Sequence, residues 1–169
     1  DNEANSSTWR GNAATLGGLR WFSRWGISST DADQTYMVGL RQTATLPSGS
    51  VEPSSLAESI YVGCDSADTN LSICSNDGTG SATCTTLGAS FPCKGTEAVY
   101  ETYFYSEPNA SVIGYLVRRL DSAATSGGSV SSDLPNNYTQ MRAVHYVTSG
   151  RTGTTIGRVR VFYTCTGTP

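Results

Sequence analysis

The sequence predicts an all-β fold in which two antiparallel sheets, about ten short strands in all, pack as a sandwich. Apolar residues recur with a period of two, which places them on one face of a strand. Clusters of Gly, Asn, Asp, Ser and Pro interrupt this pattern about every eight to twelve residues. Charged residues make up only 15% of the chain, so Ser, Thr, Asn and Gly supply its polarity, as in exposed β-rich proteins.

We expect one domain, with an N-terminal arm at residues 1–17, the core sandwich at 18–165 and a short tail at 166–169. A chain of 169 residues has the usual size of one domain. The only helical tendency is a single turn at 54–58. The predicted strands cover residues 18–27, 35–44, 59–64, 71–75, 81–87, 97–106, 112–120, 128–131, 138–148 and 155–165.

Turn chemistry predicts two hairpins in this series. NDGTG at 76–80 joins two of the predicted strands, because Asn, Asp and Gly accept the positive φ values of hairpin turns. EPNA at 107–110 joins two others, with Pro108 presetting φ at the corner. Together these signals favour strands that pair with their neighbours along the chain.

Composition also limits the partners. The net charge of −3 argues against a nucleic-acid binder that neutralises phosphates. No run approaches the roughly 20 apolar residues that a membrane helix needs, so we expect no membrane insertion. Nothing in the sequence calls for a cofactor.

The five cysteines indicate covalent cross-links. Four of them lie within residues 64–93, which predicts one or two disulfides and an oxidising location. Zinc is the alternative, but the spacing matches no CxxC pair. The odd count leaves at least one thiol outside an intramolecular bridge, and the sequence leaves the pairing open. The candidates are Cys64, Cys74, Cys84, Cys93 and Cys165.

Short motifs occur along the chain in a definite order. They are LRWFSRWGI at 19–27, MVGLR at 37–41, VGCD at 62–65 with DTN at 68–70, NDGTG at 76–80 with AT at 82–83, LGASFP at 87–92, VYE at 99–101, PN at 108–109 with GY at 114–115, and LP at 134–135. This ordered series resembles a module found in tail fibres and other virion structural proteins of tailed bacteriophages. The series departs from that module at Cys74, Cys84 and Cys165, which indicates extra covalent stapling.

The resemblance implies a jelly-roll or lectin-like sandwich in a virion appendage, and therefore a virion or extracellular location. It also implies a homo-oligomer, a trimer being the commonest state in fibres, in contact with other virion proteins. Cell-surface glycan is the ligand that such a module would bind. A secreted adhesin or a pilus subunit is the alternative, because the cysteines fit it and NxS/T sequons occur, among others, at Asn70, Asn109 and Asn137.

No group of residues forms a recognised catalytic motif, so we expect no enzyme. His145, the only histidine, lies within a predicted strand without an evident nucleophile and orienting acid, and a structural role is favoured. A second weak signal is a set of oxygen ligands that would suit Ca²⁺, although such residues also cap turns for their own reasons. That set is Asp65, Asp68, Asn70 and Asp77.

Amphipathic aromatic residues and arginines are the remaining candidates for a ligand or subunit contact. Tyr and Trp rings stack on sugars, but they also fill sandwich cores and interfaces. Arg118 and Arg119 would form a basic strip with two arginines of the last strand if those strands are neighbours. The ligand or interface candidates are Trp21, Trp25, Glu101, Tyr103, Tyr105, Arg158 and Arg160.

Overall fold

The computed structural model describes residues 7–28, 34–42, 51–95, 97–149 and 158–167. In these ranges the chain forms eleven strands and a 3-10 turn at Pro53–Ser55, and no helix is long and apolar enough to cross a membrane. The strands are β1 (Ser7–Ala13), β2 (Leu16–Ser28), β3 (Gln34–Arg41), β4 (Ser59–Cys64), β5 (Ser72–Asn76), β6 (Thr83–Thr86), β7 (Ala98–Ser106), β8 (Ile113–Arg119), β9 (Thr125–Val130), β10 (Met141–Ser149) and β11 (Arg158–Gly167).

The strands form two antiparallel layers, which confirms the predicted sandwich. The first sheet has the order β6-β5-β4-β3-β10, and the second has the order β11-β2-β7-β8-β9. Both predicted hairpins form, since β5 pairs with β6 and β7 pairs with β8. Thr79 N donates to Asp77 Oδ1 over 2.8 Å in the first turn, and Asn109 has a φ of 56° in the second.

β1 connects the two sheets, and the sequence assigned no strand to it. Thr8 pairs with Met141 of β10, whereas Trp9 already pairs with Gly18 of β2. The register shifts between Trp9 and Ala13, where Gly11 has a φ of 83°. A Cβ atom at Gly11 would lie 1.8 Å from the carbonyl oxygen of Leu16, so the crossing requires glycine.

The core lies between the sheets and is rich in aromatic rings. Trp21 stacks on Phe104 with ring centroids 5.0 Å apart, and Trp25 lies 4.9 Å from Tyr100 and 6.1 Å from Tyr36 of the opposite sheet. The indole Nε1 of Trp25 donates to Thr102 Oγ1 over 3.1 Å. Burial of rings of this size is a large favourable contribution to folding.

This core corrects one prediction. Trp21 and Trp25 were candidates for a ligand or subunit contact, but they are 2% and 0% exposed. Their strand alternates between two bulky faces, and the indole face packs inward because it buries more apolar area. Neither indole is available at the surface.

Two disulfides staple the fold, as predicted. Cys64, at the end of β4, pairs with Cys93, and both are buried in the core. Cys74 and Cys84 are direct partners across β5 and β6. Cys165 lies outside both pairs and is exposed on β11.

Candidate functional site

The outer face of the second sheet, which points away from the core, carries three of the predicted contact residues. Glu101, Tyr103 and Tyr105 alternate along β7 with residues that face inward. The strand register therefore places them in successive rows across β2, β7 and β8. Along this face, Tyr103 is 40% exposed and Tyr105 is 57% exposed.

A groove of about 360 Å³ runs along these rings, and we call it the aromatic groove. Its floor and walls include Phe22 of β2 and Cys165 of β11, which are cross-strand partners. The ring of Phe22 lies 4.5 Å from the ring of Tyr103, centroid to centroid. The residues that define the groove at the surface are Arg20, Phe22, Tyr103, Tyr105 and Cys165.

A glycine holds Tyr105 in place at one end of the groove. Gly114 of β8 is the cross-strand partner of Tyr105. A Cβ atom on Gly114 would lie 2.2 Å from Cζ of Tyr105, so the phenol ring lies flat against the bare backbone of β8. Gly114 therefore lets the ring of Tyr105 form a fixed aromatic wall of the groove.

An ionic cluster borders the other end of the groove. The side chain of Glu101 is only 8% exposed. Its carboxylate lies between Arg24 of β2 and Arg118 of β8, the two cross-strand partners of Glu101. Arg24 Nε donates to Glu101 Oε1 over 3.0 Å, and Arg118 Nη1 lies 3.5 Å from Glu101 Oε2. Both arginine side chains remain about half exposed, so one buried carboxylate orients two surface cations.

The other predicted arginines are distributed differently. Arg160 is exposed, and its cross-strand partner is Gly26 of β2. The backbone of Arg158 pairs with Ser28 of β2, and its side chain lies outside the described part of the chain. Arg119 binds Asp121 and the carbonyl of Ser90. A continuous strip of Arg118, Arg119, Arg158 and Arg160 does not form, because β2 and β7 separate β8 from β11 and Arg118 and Arg119 alternate.

His145 lies between the sheets rather than at a surface. Its Nε2 is 3.2 Å from Ser23 Oγ and 3.4 Å from Thr164 Oγ1. Burial lowers the pKa of His145 to about 4, so the imidazole is neutral at pH 7. Hydroxyl groups are its hydrogen-bond partners among the described residues, which fits the structural role predicted for it.

The oxygen ligands considered for Ca²⁺ belong to different turns. Asp65 and Asp68 share the turn after β4, where Asp68 Oδ2 accepts from the backbone N–H of Asp65 over 3.0 Å. Asp77 caps the β5–β6 hairpin, and Asn70 pairs with Pro92 in an isolated bridge. Within the described ranges, no group of three or more His, Cys, Asp and Glu side chains is arranged to hold a metal ion. Asp68 and Asp77 cap turns, whereas Asp65 Oδ1 accepts from the backbone N–H of Ser54 over 3.2 Å.

Sequence reasoning did not determine which face of β2 points outward. Its indoles were chosen as contact candidates, whereas Phe22 and the neighbouring Arg20 and Arg24 form the groove and its ionic border. The signal that identifies the outer face is charge, because arginines at alternate positions of a strand rarely face a core.

Comparison with known proteins identifies the fold. No protein-family model and no curated protein matches the sequence. Among solved structures, arcelin-5, a lectin-like defence protein from Phaseolus vulgaris, matches with a TM-score of 0.61 at 8% identity, over 97% of this chain and 76% of its own. Lectin II from Ulex europaeus matches with a TM-score of 0.57 at 11% identity, over 95% and 78%.

An enzyme has the same architecture. The alginate lyase A1-II', a member of polysaccharide lyase family 7, matches with a TM-score of 0.53 at 10% identity, over 99% of this chain and 66% of its own. At such identities the likeness concerns the fold alone. The protein is therefore a disulfide-stapled β-sandwich of lectin-like fold, and its activity has to be argued from its own surface.

Proposed function

We propose that this protein is a non-enzymatic structural module that binds carbohydrate in the aromatic groove. The observation that carries the proposal is the row of rings on the outer face of the second sheet, in which Tyr103 and Tyr105 are exposed and Phe22 is partly buried. Sugar rings offer apolar C–H faces with hydroxyl groups around them. Amphipathic phenol rings suit such a ligand, because they stack with one face and hydrogen-bond with the hydroxyl.

The setting we propose is a virion surface, in a phage fibre, spike or capsid-decoration protein. The ordered motifs that resemble the phage module support this setting, and two disulfides are typical of proteins outside the reducing cytosol. A secreted adhesin or pilus subunit would use the same groove. Mass spectrometry of the source material distinguishes the two settings, since the first expects peptides of this chain in phage particles and the second expects them in cell-surface filaments.

Substitutions at the groove test the carbohydrate proposal. We expect Tyr105→Ala to weaken binding on a glycan array about tenfold or more, because it removes an exposed stacking surface. Gly114→Ala leaves every aromatic side chain present but forces the ring of Tyr105 off β8, and we expect a similar loss. Tyr138→Ala is the matched control, since Tyr138 is 65% exposed in the loop before β10 and lies outside the groove.

A contact between copies of this chain is the second candidate function of the groove. Exposed aromatic side chains in one patch favour it, because Tyr103 and Tyr105 are 40% and 57% exposed on the same face of β7. Light scattering separates the candidates. If Tyr105→Ala loses glycan binding but keeps the oligomeric state of the wild type, the groove is a carbohydrate site. If Tyr105→Ala has a lower oligomer mass and the wild type binds no glycan, the groove is an assembly contact.

A further inference from the structure

We infer that the ligand of the aromatic groove is an anionic saccharide, one whose sugars carry carboxylate or sulfate groups. This inference rests on the proposed carbohydrate binding and adds a substrate class to it. It is carried by the guanidinium groups that flank the rings at both ends. The chain as a whole has a net charge of −3, so a local excess of cations on this face runs against its overall composition.

The strand register fixes the positions of the charges. Arg20, Phe22 and Arg24 alternate on the outer side of β2, so the aromatic ring lies between two arginines of the same strand. The two arginines are four residue steps apart along the strand, a distance of roughly 13 Å at the usual rise. That distance suits an oligosaccharide laid along β2 better than a single sugar.

One carboxylate faces three arginines around the groove. Glu101 is held by Arg24 and Arg118, while Arg20 takes part in none of the ion pairs found among the described residues. Asp121, which lines a neighbouring pocket with Arg24, is itself paired with Arg119. The three arginines with Glu101 therefore leave this face with a positive local charge. Charge complementarity then selects an acidic ligand over a neutral one, and it does so most strongly at low ionic strength.

The arginines also keep donors available for a ligand. In the hydrogen bonds formed within the described chain, Arg24 uses Nε and Nη2 on Glu101, and Arg118 uses Nη1. Their side chains are about half exposed, and Arg24 Nη1 and Arg118 Nε and Nη2 take part in none of these hydrogen bonds. A planar guanidinium binds carboxylate or sulfate oxygens through two N–H groups at once. Glu101 acts as a positioning residue, because it fixes both guanidinium groups before a ligand arrives.

A matched pair of ligands tests the inference. Hexagalacturonate and its fully methyl-esterified form have the same sugar rings, and the ester replaces each carboxylate by a neutral methyl ester. By isothermal titration calorimetry we expect the acid to bind the wild-type chain about tenfold more tightly than the ester at low salt, with the difference shrinking as salt screens the arginines. A sulfated hexasaccharide that binds more tightly still supports the inference and identifies sulfate as the preferred anion.

Variants of the arginines provide the second test. We expect Arg20→Gln and Arg24→Gln each to lower affinity for the acid roughly three- to tenfold, with a smaller loss for the ester. Arg142→Gln is the control, because Arg142 is exposed on β10 in the other sheet. Thermal unfolding of each variant separates a lost contact from a misfolded protein.

Three results would overturn the inference, and they differ in whether they also contradict the proposed carbohydrate binding. Equal affinity for acid and ester is compatible with carbohydrate binding and contradicts only the preference for anionic saccharides. Binding of neither, together with an empty glycan array, removes both proposals. Competition by a hexaglutamate peptide as strong as that by the saccharide, and unaffected by Tyr105→Ala, assigns the face to an acidic protein partner instead.

Discussion

His145 is a buried base in contact with two hydroxyl groups, and its environment makes stability depend on pH. Its folded pKa of about 4 lies below the ordinary value of 6.5, because burial disfavours the charged imidazole. The unfolded state therefore binds a proton more readily than the folded state. The contribution of the neutral residue is complete above pH 6.5 and declines as the pH falls towards 4.

We expect the free energy of unfolding to fall by on the order of 3 kcal/mol between pH 6.5 and pH 4 from this residue alone. His145→Gln keeps a hydrogen-bonding group near Ser23 and cannot be protonated, so its stability should change much less over that range. The measurement is the difference between the two proteins in urea denaturation at several pH values. Asp65, whose pKa is raised by burial, acts in the opposite direction and cancels in this difference. Parallel curves for both proteins would contradict the prediction.

Arg10 is a second residue whose role is visible only in the folded chain. It is 6% exposed, its Nη1 donates to the carbonyl of Pro135 over 2.6 Å, and its Nη2 donates to the carbonyl of Ala110. It thus joins β1 to two loops that are far apart in sequence. Hydrogen bonds from a charged donor contribute more than neutral ones, and loss of the donor leaves both carbonyl groups without it.

We expect Arg10→Met to destabilise the protein by about 1–3 kcal/mol, because the volume is retained while two carbonyl groups lose their donor. Arg20→Gln, at an exposed position of β2, should leave stability within about 0.5 kcal/mol of the wild type. Chemical denaturation of both variants checks the contrast, and equal stabilities would show that the Arg10 contacts contribute nothing net.

At the scale of elements, the regular strands were predictable and the connection between sheets was not. Period-two patterning located β7 and β8 to within about a residue, because their apolar residues alternate with more exposed ones. It also located β4 at 59–64, although both faces of that strand are buried. The sequence did not predict β1, because this strand changes sheets after two residues and no single face of it stays buried. The pattern also left open which face of β2 is inward, and hence whether its indoles or Phe22 would line the site.

The two disulfides should differ in what they contribute. Cys64–Cys93 closes a chain segment with a sequence separation of 29 and is buried, whereas Cys74–Cys84 closes one of 10 and has an exposed member. Loop-closure entropy predicts about 3–4 kcal/mol for the first and about 2–3 kcal/mol for the second. Removing the first pair also leaves space in the core.

We therefore expect Cys64→Ala with Cys93→Ala to lower the melting temperature more than Cys74→Ala with Cys84→Ala. Differential scanning calorimetry of the two double variants makes the comparison with each serving as control for the other. The reverse order would mean that the hairpin staple holds the first sheet together and that the core accommodates the loss of the buried one.

At the scale of the whole molecule, charge and shape divide the surface into different parts. The chain is acidic overall, but the outer face of the second sheet carries Arg20, Arg24 and Arg118 around apolar rings. Such an arrangement orients the molecule towards an acidic surface before contact is made. The groove itself is shallow and on an open sheet, so one copy buries little of a ligand.

Shallow sites become effective when several copies bind together, and this gives the last prediction. If the module acts in an oligomer, the second and third contacts are made at high effective concentration. We expect the chain fused to a trimeric scaffold to be retained on a hexagalacturonate-coated surface with an apparent affinity about 100-fold above that of a monomeric fusion. The trimeric Tyr105→Ala fusion should lose most of this gain, because avidity multiplies a single-site affinity and cannot replace it. Equal retention of trimer and monomer would mean that each groove binds alone, which contradicts multivalent display as the way this protein works.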